Sequence, residues 1–189
     1  MKASSRWASL ALLLPLFVGC AHEAAPAPSK PADGEAKIKA ALDKLDPDDR
    51  KLAEEQKFCA VETENRLGLM GKPVKMMIED ETVFLCCKGC EKAALKDPKK
   101  TLARVEELRI QVALDQLDPA DRKLAEQQKY CAVSPESRLG SMDVPVKVMI
   151  KDQPVFLCCK GCEKAAKKDP DKTLAKVKEL RTTTADAKE

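Results

Sequence analysis

Four cysteines recur in one spacing 72 residues apart. Cys59, Cys86, Cys87 and Cys90 return as Cys131, Cys158, Cys159 and Cys162, with no insertion or deletion between the copies. Of the 65 positions from Leu45 to Arg109, 48 are identical in Leu117 to Arg181. A chain written this way folds as one small unit made twice. Each unit holds a handful of large apolar residues and two aromatics (Phe58 and Phe84; Tyr130 and Phe156). Units that small bury too little surface to be secure on the hydrophobic effect alone and usually carry a staple. The cysteines are the candidate staple, so what they bond to decides the reading.

The local signals repeat with the cysteines. Leu45-Asp46-Pro47 and Leu117-Asp118-Pro119 offer an aspartate cap followed by proline at the first helical position. Helical composition stops at Cys59. Val74 to Ile78 and Thr82 to Leu85, around a polar Glu79-Asp80-Glu81, predict a β-hairpin, as do Val146 to Ile150 and Val155 to Leu157, with Pro154 suited to a strand start. Cys86-Cys87-Lys88-Gly89-Cys90 reads as a tight turn into a short helix. Asp97-Pro98 opens another helix, whose apolar residues Leu102, Val105, Leu108 and Val112 fall at three- and four-residue intervals. That helix is expected to run to about Leu117. The fold class is α+β: two tandem modules, residues 37–109 and 110–181, joined by a helix.

Three chemistries suit two sets of four cysteines. The first is a metal centre. Cys59, Cys86, Cys87 and Cys90, and likewise Cys131, Cys158, Cys159 and Cys162, suit tetrahedral Zn²⁺ with Zn–S of about 2.3 Å; soft thiolates make Cu⁺ the second choice. Cys90, at the start of a helix, is expected to have a lowered thiol pKa. Neighbours on extended chain face opposite ways, so Cys86 and Cys87 share an ion only if the backbone turns between them. The second chemistry is disulfide bonding, with three connectivities per module and a vicinal Cys86–Cys87 bridge disfavoured by strain. The third is thiol–disulfide exchange at Cys87-Lys88-Gly89-Cys90, a Cys-x-x-Cys motif that such enzymes carry beside a βαβ pattern this chain lacks.

Val83-Phe84-Leu85-Cys86-Cys87-Lys88-Gly89-Cys90, followed by Asp97-Pro98-Lys99-Lys100, resembles the TRASH and YHS metal-binding modules over Cys59 to Leu102 and again over Cys131 to Leu174. The resemblance implies a small treble-clef or zinc-ribbon-like unit linked to heavy-metal sensing, trafficking or resistance. It places Cys59, Cys86 and Cys90, and Cys131, Cys158 and Cys162, at the family's cysteine positions. Two departures stand out: the 26 residues between Cys59 and Cys86 are more than usual, and Cys87 and Cys159 replace a small residue. Lys88 and Lys160 are placed to balance an anionic thiolate site. Met70, Met76, Met77, Met142 and Met149 are expected to serve packing rather than ligation.

The ends carry a separate message. Lys2 and Arg6, an apolar run from Leu10 to Val18 and then Gly19-Cys20 resemble the signal and lipobox of bacterial lipoproteins, with Phe17 where leucine is commoner. That resemblance makes residues 1–19 a signal peptide and Cys20 the lipidated residue. Residues 20–36 become an anchor and Pro/Ala-rich tether containing the one histidine, His22, and residues 182–189 a disordered tail. The implied location is extracytoplasmic, on the periplasmic side of a membrane. Without residues 1–19 the chain has 32 basic and 31 acidic residues, from 34 less Lys2 and Arg6. Near-zero charge and scarce aromatics argue against a nucleic-acid partner. No nucleophile–base pair, phosphate loop or paired carboxylates mark the chain as an enzyme. The partners implied are a metal ion and a membrane; no sequence signal names a protein partner.

Overall fold

The 72-residue offset holds in three dimensions. The computed structural model describes residues 31–186; the expected signal peptide, Cys20 and His22 lie outside them. Among the described residues the chain is mixed α and β, with seven α-helices and two antiparallel hairpins. The first module holds α1 (Pro31–Leu42), α2 (Pro47–Gln56), β1 (Val74–Ile78), β2 (Glu81–Leu85) and α3 (Glu91–Lys96). Helix α4 (Pro98–Leu114) leads into α5 (Pro119–Gln128), β3 (Val146–Ile150), β4 (Gln153–Leu157), α6 (Glu163–Lys168) and α7 (Pro170–Asp186). No helix among them is long and apolar enough to cross a membrane.

The helix starts follow the sequence signals, by two routes. Pro47 and Pro119 supply a preset φ at the first turn, while Asp46 and Asp118 make no side-chain cap bond. Asp97 does cap, accepting from the Lys100 amide at 3.1 Å, and Asp169 accepts from Lys172 at 3.1 Å. Each hairpin pairs five residues with five; Val74 faces Leu85 and Ile78 faces Glu81, and Val146 and Ile150 face Leu157 and Gln153. Strand alternation turns Ile78 inward, and β2 buries Val83, Phe84 and Leu85 in succession. Each such side chain contributes about 1.5–3 kcal/mol by burial.

The repeat begins earlier than Leu45. Helix α1 and the second half of α4 are equivalent: Glu35, Ile38, Ala41, Leu42 and Asp43 match Glu107, Ile110, Ala113, Leu114 and Asp115 at the same offset. The matched residues do the same work. Glu35 pairs with Arg66, and Glu107 with Arg138 at 2.7 Å. Asp43 pairs with Arg50, and Asp115 with Arg122. Ile38 and Leu42 join the first core, Ile110 and Leu114 the second. Val105, nearer the start of α4, belongs to the first core, so this one helix serves both modules.

Three differences from the sequence reading follow. Helix α1 starts at Pro31, inside the expected tether, because Ile38, Ala41 and Leu42 bury one face of it. Helix α4 stops at Leu114 rather than near Leu117, with Asp115 as its cap residue. Residues 182–186, expected as part of a disordered tail, continue α7, where the Thr182 hydroxyl donates to the Glu179 carbonyl at 2.7 Å. That stretch of α7 sits one further offset along from α1 and α4, and Thr182 stands there in place of Ile38 and Ile110.

The helix-to-loop contact is close enough to require glycine. Gly68 has φ +96°, and a Cβ there would lie 3.0 Å from the Ile38 Cα and carbonyl oxygen. Gly140, at φ +89°, approaches the Ile110 carbonyl in the same way. Gly68→Ala is expected to cost at least about 2 kcal/mol, from backbone strain and the displacement of α1 together. Gly71→Ala (φ +114° with nothing within 4 Å) is expected to cost about 1 kcal/mol, from strain alone. Urea titrations of both variants test this. Equal losses would show that the close approach of α1 contributes nothing.

Candidate metal centre

The site is assembled from three short pieces of backbone. Helix α2 ends at Lys57, whose φ of +61° turns the chain out of the helix. Phe58 then bridges to Arg66, and the Cys59 amide donates to the Asn65 carbonyl at 3.0 Å, which pins Cys59 in a narrow loop. Strand β2 delivers Cys86 directly after Leu85. A single 3-10 turn, Lys88–Cys90, closed by the Cys90 amide on the Cys87 carbonyl at 3.2 Å, brings Cys90 back beside Cys86. The second module repeats these pieces with Lys129, Tyr130, Arg138 and the turn Lys160–Cys162.

The result is a triad of sulfurs in each module. The Sγ atoms of Cys59, Cys86 and Cys90 lie within 4.8 Å of one another, as do those of Cys131, Cys158 and Cys162. Cys86 and Cys90 are 3.7 Å apart, as are Cys158 and Cys162. Two ligands of a tetrahedral ion with Zn–S of about 2.3 Å stand about 3.8 Å apart, so the observed separations fit such an ion. All eight cysteines among the described residues are free, and their closest sulfurs are well beyond a disulfide's length of about 2.05 Å. In the first module all three triad cysteines are buried; in the second, Cys162 is half-buried.

Cys87 and Cys159 stand apart from the triads. Cys87 is extended (φ −160°, ψ 166°), and it is half-buried where its neighbour Cys86 is buried. The turn does not fold it onto the other three, yet its Sγ stays 4.0 Å from that of Cys90. Cys159 is 4.0 Å from Cys162.

Burial and backbone amides pull these thiols in opposite directions. Burial, and then the Cys59 thiol, push Cys86 up to about 11; Cys158 is pushed up to about 11 by burial and Cys131. Burial and the adjacent Cys86 raise Cys90 further, and Cys162 follows with Cys158. This reverses the expectation for Cys90: desolvation and neighbouring thiols outweigh the start of a six-residue helix. Cys87 instead lies below the ordinary thiol value because the Gly89 amide points at its sulfur, and Gly161 and Cys162 do the same for Cys159. Burial opposes ionisation of Cys131, but the amides of Cys158, Ser134 and Val133 outweigh it and hold this thiol low. The Val61 amide donates to the Cys59 sulfur at 3.5 Å. A cation among the three sulfurs offsets the thiolates' mutual repulsion and displaces their protons.

Two other groups merit placing. Lys88 and Lys160 are exposed on the 3-10 turns. Met70, Met77, Met142 and Met149 are exposed rather than packed, correcting the packing expectation for all four. Met77 and Met149 occupy the outward register of β1 and β3, and only the alternate position, Met76 or Val148, turns in.

Sequence reasoning missed Gln56 and Gln128. Gln56 is fully buried; its amide donates to the carbonyls of Phe58 at 2.8 Å and Phe84 at 2.6 Å, and its oxygen accepts from the Phe84 amide at 2.9 Å. One side chain thus ties the Cys59 loop to the strand that ends in Cys86. Gln128 makes the same three bonds to Tyr130 and Phe156. The available signal was a glutamine kept in both copies within three residues of a cysteine.

No family model, curated protein or solved structure matches the chain. The two clusters can hold a metal ion, and their donors are sulfur alone. That donor set suits thiophilic ions and not Mg²⁺ or Ca²⁺, which take oxygen ligands.

Proposed function

We propose that this protein binds one thiophilic metal ion in each module, Zn²⁺ in preference to Cu⁺, and buffers or passes on such ions outside the cytoplasm. The observation that carries the reading is the convergence of three cysteine sulfurs from two distant chain segments, made twice with the same 3.7 Å separation. Cys59, Cys86 and Cys90, and Cys131, Cys158 and Cys162, hold the ion; Cys87 and Cys159, 4.0 Å from Cys90 and Cys162, lend a weaker fourth sulfur. The modules are treble-clef or zinc-ribbon-like units akin to the TRASH and YHS modules, and their role is binding rather than catalysis. The lipobox-like Val18-Gly19-Cys20 supports lipid anchoring at Cys20 and an extracytoplasmic, periplasm-facing position.

The test is metal content and thiol count on the full-length chain, exported and purified without chelator. The expected result is two ions per chain, with eight thiols reactive only after denaturation and chelation. No metal, with thiols appearing only after a reductant, would overturn the proposal in favour of a disulfide-stapled module. Exchange then separates buffering from a structural role. A handover site yields its ion to a competing chelator while the circular dichroism persists, whereas a structural site unfolds as it is stripped.

A further inference from the structure

Each module also carries a groove beside the loop of its first cysteine, lined by Ala60 and Val61 in one and Ala132 and Val133 in the other. In the first it is a groove of about 450 Å³ whose floor includes Ala60, Val61 and Ala93, with Lys96, Lys100 and Arg104 along its wall. The second module repeats it at about 770 Å³, with Ala132, Val133 and Ala165 below Lys168, Lys172 and Lys176.

In the lining of the first groove three cations outnumber one carboxylate, Asp97. Asp97 is committed to the Lys100 amide, and the Thr101 hydroxyl donates to the carbonyls of Ala94 at 2.8 Å and Asp97 at 3.1 Å. Among the described residues, Lys96, Lys100 and Arg104 form no ion pair. In the second groove Lys168 and Lys172 are likewise unpaired, while Lys176 pairs with Glu179 at 2.7 Å.

The two copies also show which charges are held. On the same helix, outside the groove, exposed Lys99 becomes Asp171 and exposed Glu106 becomes Lys178. Within the groove Lys96 and Lys100 are unchanged as Lys168 and Lys172, and Arg104 becomes Lys176 with its charge kept. Two exposed charges outside the groove thus reverse between the copies, while the three groove cations keep their sign.

We propose that these grooves dock an acidic peptide segment of a partner protein, its carboxylates on the lysine and arginine wall and its backbone over the alanine floor. The floor is small and apolar, which suits a peptide backbone lying across it, and the wall offers several cations in a row rather than a point site for one small anion. The first groove, with three unpaired cations against two, is the stronger. Its floor holds Val61, whose amide donates to the Cys59 sulfur, so a docked partner lies against the loop that carries a metal ligand. The inference does not depend on an ion being bound.

The test uses the full-length protein and a fluorescent hexaglutamate peptide, with hexaglutamine as the neutral control, followed by anisotropy at low salt. K100E combined with R104E is expected to weaken hexaglutamate binding at least tenfold. K99D, which installs the second module's own residue outside the groove, is expected to change it less than twofold. Circular dichroism and thermal melting matching the parent's establish that the variants fold. Equal weakening by K99D would reduce the effect to general charge and overturn the proposal, as would hexaglutamate bound no better than hexaglutamine. Groove-dependent binding of anionic phosphatidylglycerol vesicles without binding of hexaglutamate would also overturn it, in favour of a membrane-facing patch.

Discussion

Replacing any one of Cys59, Cys86 or Cys90 by serine is expected to leave one tightly held ion per chain where the proposed function gives the parent two, and Cys131→Ser, Cys158→Ser or Cys162→Ser is expected to do the same from the other module. Each triad sulfur is one of three within 4.8 Å, and a serine hydroxyl is a poor substitute for a thiolate toward a thiophilic ion. Changes merely behind a metal ligand cost about 10–100-fold in affinity, so loss of a ligand is expected to cost at least about 100-fold. Cys87→Ser is expected to cost less than about tenfold, because its half-buried sulfur lies outside the triad and approaches it only at Cys90, 4.0 Å away. Competition with a chromophoric chelator and elemental analysis after gel filtration give both numbers. An equal loss for Cys87→Ser and Cys90→Ser would make Cys87 a full ligand and show that the turn closes further around the ion than the free thiols do. Acidification should act in the same direction as these variants. The buried thiols Cys86 and Cys158, pushed up to about 11, must give up their protons to a metal. Apparent affinity therefore falls as pH falls, about tenfold per pH unit for each proton displaced.

The duplicated cysteine spacing made the two-module plan legible, and the apolar runs around Glu79-Asp80-Glu81 made the first hairpin legible to within a residue and the second to within two, β4 starting at Gln153 rather than Val155. Asp-Pro pairs marked the helix starts because proline presets the first turn whether or not the aspartate caps it, as Asp46 and Asp97 show. What stayed hidden depended on partners distant in sequence. Among its described side chains helix α1 buries only Ile38, Ala41 and Leu42, in a lysine-rich stretch directly after prolines, and it is recognisable only because α4 repeats it. The direction of the Cys90 shift follows from burial beside Cys59 and Cys86, which no local spacing reports. The methionines misled because an apolar residue in a hairpin reads as core, whereas the register places Met77 outward at 54% exposed. Gln56 was invisible for a related reason. In a helix of Glu, Gln and Lys it reads as one more solvated side chain.

That glutamine carries the other large expected effect. Gln56→Ala removes three hydrogen bonds at once and leaves the buried Phe84 amide without its acceptor. The Phe84 carbonyl keeps only the long 3.5 Å contact from the Ala60 amide. Each buried polar group stripped of its partner costs about 1–3 kcal/mol, so the first module should lose about 3–5 kcal/mol. A whole domain's margin is about 5–15 kcal/mol, and this one is small, so the loss takes most of what the protein part contributes. Gln56→Leu is expected to do no better, because filling the volume does not supply the donor and acceptor that Phe84 needs. Hydrogen exchange reads the effect locally: the Phe84 amide should lose protection, while the Phe156 amide, which donates to Gln128, keeps its own. The ion should be affected as well, since this side chain holds the Cys59 loop against the strand ending in Cys86. Chelator competition should therefore show the first module's ion weakened in Gln56→Ala with all four cysteines intact. Unchanged protection at Phe84, or an equal loss in both modules, would mean that the Cys59 loop is held by the ion and the surrounding apolar residues, with the glutamine along for the ride.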